Sequence, residues 1–174
     1  FGLGGSSLIS RMLGVKNHGD IKHVAVFSVW GGGAFTLVFS VLTYLARRPL
    51  LNFLGASPDT FRYAESYLFW VVVLGGVPTM VSLALGHLLR SEGHARQASA
   101  GMMFGGILNV VLDPILIFGF HMDVAGAAIA TAFSNAASMV FFVVQYFRLG
   151  DRTDVSLHPK YFTFRFVRQV FSVG

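Results

Sequence analysis

No cysteine occurs among the 174 residues, which excludes a disulfide framework and any thiolate metal site. Charge is scarce as well. Asp, Glu, Lys and Arg make up 12% of the chain, against about 25% in soluble domains, too few to keep an ordinary soluble surface wet. Proline is rare, five in all, so each one inside an apolar run needs a reason. Paired carboxylates, a histidine cluster or a nucleophile–base pair at one depth are also missing, because the six histidines are scattered at the ends of apolar runs or between them. Those absences argue against an integral-membrane enzyme.

What is present is apolar bulk: 18 Phe, 20 Gly and a mean hydropathy of +0.65. The net charge of +5 does not point to nucleic acid. The basic residues fall in short clusters between apolar runs, as they do in loops at a membrane surface. The chain opens at Phe1 in an apolar Gly/Ser-rich segment and stops at Gly174 in another. It reads as an internal piece of a longer protein, with no signal peptide to interpret.

A membrane-crossing helix needs about 20 mostly apolar residues. Four stretches meet that length, 24–46, 67–89, 98–120 and 124–147, and Asp113 is the single charge among them. Residues 1–13 read as the tail of a fifth span, ending at Arg11. Residues 161–174 alternate aromatic and basic side chains and read as an interfacial run leading into a further span. The expected fold is therefore all-α and polytopic, a transmembrane helix bundle. Most of the 13 Lys and Arg lie in the first, third and last inter-span segments. Arg47, Arg48 and Arg62 lie in the second, and the turn at 121–123 has none. The positive-inside rule puts the richer side in the cytoplasm.

Other local signals are structural. "LGASPDTFRYAESY" (54–67) carries a helix-start signal, with Ser57 or Asp59 as cap and Pro58 in the first turn, and by itself reads as a surface loop. Small residues such as Gly75, Gly101, Gly105, Gly126 and Ala130 suit close helix packing. Pro78 lies within the second span and is expected to bend it. Trp30 and Trp70 read as interface anchors, and His87 as a hydrogen-bonded interfacial histidine. Gln145 falls near the interface.

One constellation carries chemistry. Asn109 and Asp113 are four residues apart and share a helix face. A charge near the bilayer centre costs roughly 2.5–3.5 kcal/mol on insertion scales. Such a group faces the bundle interior or a wet cavity, where a proton or a cation neutralises it. Pro114 cannot donate to the carbonyl of Val110 one turn back, which frees another oxygen beside Asp113. On the next span Thr131, Ser134, Asn135 and Ser138 recur at helical spacing as one polar stripe. The turn between the two spans is short, so they are antiparallel neighbours. Asp113 and Thr131 are each about seven residues from it, and at roughly 1.5 Å per residue their depths match.

Four stretches in this order resemble the multidrug and toxic compound extrusion (MATE) family: "GGSSLISRMLG" (4–14), "LLRSEG" (88–93), "LNVVLDPILIFG" (108–119) and "AGAAIATAFSN" (125–135). The resemblance implies part of one six-helix lobe: residues 1–147 as a partial amino-terminal transmembrane lobe, and 148–174 as a cytoplasmic linker leading to a second lobe. It also implies a cation site built from Asn109, Asp113 and Thr131, together with an acid on a preceding helix. Ser134, Asn135 and Ser138 are then candidates for the cavity lining, and Pro78 and Pro114 mark helix bends. The function implied is export of amphipathic, often cationic drugs or toxic compounds across the cell membrane of a prokaryote, coupled to H+ or Na+. No cofactor is expected, and no metal beyond Na+ at Asp113. The expected partners are small drug-like molecules and the bilayer, not nucleic acid, and the whole protein is expected to be a monomer. The alternative considered is a lipid-linked oligosaccharide flippase of related fold, for which Arg11 is the only candidate cation within a span.

Overall fold

The computed structural model describes residues 2–15, 18–150, 153, 155 and 157–173, without the side chains of His18, Phe171 and Val173. All regular structure among them is helical. Helix α1 spans Gly2–Gly14. Helix α2 (His18–Val26) runs through a π-helical turn, Phe27–Gly31, into α3 (Gly32–Leu45), giving one continuous span, Gly19–Leu45. A short α4 (Arg47–Phe53) turns the chain. Then come α5 (Pro58–Leu68), a π turn (Phe69–Leu74) and α6 (Gly76–Ser91). Helix α7 (Ala95–Pro114) continues through a third π turn, Ile115–Gly119, and α8 (Asp123–Leu149) follows. A 3-10 turn (Pro159–Tyr161) and α9 (Val167–Val173) follow. Three helices are long and apolar enough to cross a membrane, and the bent α5–α6 pair makes a fourth.

The 54–67 segment is more than a surface loop. Ser57 accepts from the Thr60 backbone N–H while the Thr60 hydroxyl accepts from the Ser57 N–H, a reciprocal cap, and Pro58 stands at the first helical position. The second span thus starts well before residue 67. The two halves of this span meet at 47°. The break falls at Gly75, and Pro78 lies in the first turn of α6 rather than at mid-helix. A proline there leaves the Leu74 carbonyl, four residues back, without its helical donor.

Helix α6 is the hub, packed on α1, α3, α7 and α8. The buried apolar cluster gathers at one end of it: Leu85, Leu88 and Leu89 meet Ile9 of α1 and Ile21 and Val24 of α2. Phe166 and Val170 from the last segment complete the cluster. That segment therefore packs back on the bundle. Glu92 accepts from the Thr153 hydroxyl and from the Val155 N–H (2.9 Å), and Tyr146 Oη accepts from the Leu157 N–H (3.3 Å). These bonds also bring the α6–α7 turn and the start of the last segment to the same end of the bundle. Elsewhere the surface is strongly apolar. Phe35, Leu42, Ile107, Val110 and Phe118 are all exposed, as expected where the solvent is lipid.

Trp30 lies in the π turn within the first span and donates to the Leu157 carbonyl (2.9 Å). Trp70 lies in the π turn just before the Gly75 break.

Candidate functional site

A short turn sets α7 and α8 side by side. His121 and Asp123 adopt positive φ, and the Met122 N–H reaches back to the Leu116 carbonyl (3.1 Å). Glycine then decides how closely the helices approach. A Cβ on Gly126 would sit 3.0 Å from the Leu116 backbone, and one on Gly101 would sit 2.5 Å from the Phe142 ring. Gly105 lies against Ser138 and the Ser134 carbonyl. These crossings fix the register. Between the Gly126–Leu116 and Gly105–Ser138 contacts, Thr131 comes level with Asn109 and Asp113.

The amide of Asn109 donates to Asp113 Oδ1 at 3.4 Å, and both side chains are half-buried. Pro114 ends the regular ladder here, and the Ile115 N–H turns to the Leu112 carbonyl. The Thr131 hydroxyl donates to the Ala127 carbonyl of its own helix (2.9 Å), which spends its proton and leaves its lone pairs to accept or to coordinate. No direct hydrogen bond joins it to Asp113 among the described residues.

Below this level lies a crevice of about 140 Å3 between α6, α7 and α8, lined by Ser82, Met102, Gly106, Asn135, Ser138 and Phe142 among others. On α7 the crevice residues Met102 and Gly106 continue at helical spacing into Asn109 and Asp113. On α8, Phe142, Ser138 and Asn135 continue the same way into Thr131. The helices are antiparallel, so both stripes climb in the same direction, one toward Asp113 and the other toward Thr131.

Within the crevice Asn135 donates to Thr79 Oγ1 across to α6 (2.7 Å), and Thr79 donates to the Gly75 carbonyl at the break (2.7 Å). Ser138 makes a long contact to the Gly101 carbonyl (3.5 Å). The Ser134 hydroxyl is buried without a hydrogen-bond partner among the described residues. Thr79 was missed in the sequence because a lone threonine near a proline carries no periodic signal. Its only cue was the pairing of a polar residue with a helix-breaking Gly-Gly-x-Pro stretch. His87 sits in a separate polar recess with Ser6, Ser10 and Arg90, and Gln145 in a shallow groove beside Phe141 and Arg148. Among the described residues no three His, Asp or Glu side chains cluster as a metal site. An ion held at Asp113 would rely on amide, hydroxyl and backbone oxygens, a donor set suited to a hard monovalent cation or a proton and not to a transition metal.

Residues 1–115 match the MatE family model. The chain is 34% identical over all 174 residues to the multidrug export protein MepA of Staphylococcus saprophyticus, of which it covers 38%. It superposes on a multidrug resistance MATE family transporter of the MOP superfamily solved in two conformations. With the inward-facing one the TM-score is 0.90 at 28% identity, and with the outward-facing one 0.91 at 27%. Each covers 99% of this chain, which in turn covers 39% and 38% of those chains. The chain thus spans about two fifths of the length of the proteins it matches, and its helix arrangement fits both conformations equally well. The flippase alternative finds no support among these relatives.

Proposed function

This chain belongs to the MatE family of multi-pass membrane transporters, which are not enzymes, and from that premise we propose that it forms the cation-binding part of an exporter of amphipathic, often cationic small molecules, driven by H+ or Na+ flowing inward. The observation that supports the proposal is the Asn109–Asp113 hydrogen bond on α7, with polar stripes on α7 and α8 that run at helical spacing from a shared crevice toward Asp113 and toward Thr131. Asp113 holds the exchangeable charge. Asn109 fixes the carboxylate through its amide N–H and keeps its own carbonyl oxygen for the ion. Thr131, with its proton committed to Ala127, offers an oxygen from the neighbouring helix. Loading a cation neutralises Asp113 and changes which arrangement of α7 against α8 is stable. If that arrangement binds drug more weakly, drug must weaken cation binding by the same factor.

The test is Asp113→Asn in the whole protein, which keeps the shape and removes the charge. Drug accumulation in cells should rise to the level of cells without the transporter, while the variant still reaches the membrane. Wild-type export from cells carrying it would overturn the assignment. Collapsing the pH gradient, or separately withdrawing Na+, then identifies the coupling ion. The whole protein is expected to act as a monomer, with its substrates drawn from the bilayer and the cytoplasm.

A further inference from the structure

A second cavity of about 460 Å3 lies between the first span, α6 and α8. It shares no lining residue with the polar crevice, and its walls are almost wholly apolar: Val29, Trp30, Leu37, Val81, Val143 and Leu157 are among them. Trp30 forms its rim by bonding the Leu157 carbonyl. From Leu157 the chain runs into the Pro159–Tyr161 turn, where the Tyr161 carbonyl meets His23 Nδ1 at 2.7 Å. His23 and Trp30 are seven residues apart on one helix face, about 10 Å along the axis. At the Tyr161 end two ammonium groups converge on one ring. Lys160 Nζ is 5.0 Å and Lys22 Nζ 5.8 Å from the Tyr161 centroid. Neither has a carboxylate within ion-pair distance among the described residues. Exposed Phe162 and Phe164 flank this end, both against Phe27.

We propose that this cavity holds one acyl chain of an anionic phospholipid whose phosphate rests between Lys22 and Lys160. The apolar walls accept a hydrocarbon tail and offer a headgroup nothing. The two cations, without a carboxylate partner among the described residues and held in place by the electron-rich ring face, want a phosphate at the interface. Their separation from the cavity along the span matches a lipid lying parallel to the helices. The bilayer supplies such a molecule continuously, and clustered basic residues at a helix end attract anionic lipid.

The experiment uses the purified whole protein in detergent mixed with phosphatidylglycerol or phosphatidylcholine of the same chains, reading lipid retained after washing by mass spectrometry and thermal stability in parallel. Wild type should retain phosphatidylglycerol preferentially and gain stability from it. The double change Lys22→Gln, Lys160→Gln should lower that preference by on the order of tenfold. Gly33→Leu should abolish retention of either lipid. A Cβ at Gly33 meets only Val81, at 4.0 Å, so this variant projects a bulky side chain into the cavity, across the path of the tail, without a backbone clash. Equal retention of the two lipids by wild type overturns the proposal, as does a preference that survives either variant. Displacement of the lipid by millimolar glycerol phosphate would also overturn it, because that would show a phosphate site without a tail site.

Discussion

Asn135 of α8 and Thr79 of α6 are joined by a 2.7 Å hydrogen bond, and the same threonine hydroxyl grips the Gly75 carbonyl where the second span breaks. One side chain on the polar stripe is thereby tied to the bend of another helix. Separate Asn135→Ala and Thr79→Val changes should each destabilise the protein, and the double mutant should cost less than their sum. The expected coupling is about 0.6 kcal/mol, with roughly 1.7 kcal/mol as the upper end for such bonds between membrane helices. Unfolding in mixed micelles measures it, and strict additivity would mean that the bond contributes nothing.

Pro78→Ala restores an N–H that can reach the Leu74 carbonyl across the break. The 47° angle between the halves should then open toward a straight helix, read as a longer distance between spin labels near Tyr63 and Leu89. An unchanged distance would assign the bend to the packing of Gly75 alone.

Thr131 separates two roles by its substitutions. Thr131→Ser keeps the oxygen and should retain export. Thr131→Ala removes it and should raise the cation concentration needed for half-maximal export by roughly ten- to a hundredfold, taking one bond to a charged group at roughly 1.5–3 kcal/mol. The defect should be milder than that of Asp113→Asn. Damage as severe as that variant's would make Thr131 a structural residue first.

Gly101→Ala puts a methyl group 2.5 Å from the Phe142 ring and 2.9 Å from Phe141. Phe142 is fully buried, so the ring has nowhere to move without shifting α8. Destabilisation of about 1–3 kcal/mol is expected, relieved in part by Phe142→Leu. A melting temperature equal to wild type would mean that the α7–α8 seam is looser than its geometry.

The sequence by itself determined the class of fold, the approximate spans and the polar constellation, because each is written in local terms: run length, helical period, and one charge in an apolar stretch. A residue's helix face follows from spacing alone, so the pairing of Asn109 with Asp113 and the stripe from Thr131 to Ser138 were legible without coordinates. The tertiary structure decided what depends on partners distant in the chain. It placed the break at Gly75, three residues before Pro78, where the Leu74 carbonyl lacks the N–H that the proline cannot give and the proline fits the first turn of the next half. It recruited Thr79, whose role exists only when Asn135 arrives from 56 residues away. It also folded the basic, aromatic last segment onto the bundle, since Phe166 and Val170 find an apolar surface on α1 that no local pattern in their own segment announces.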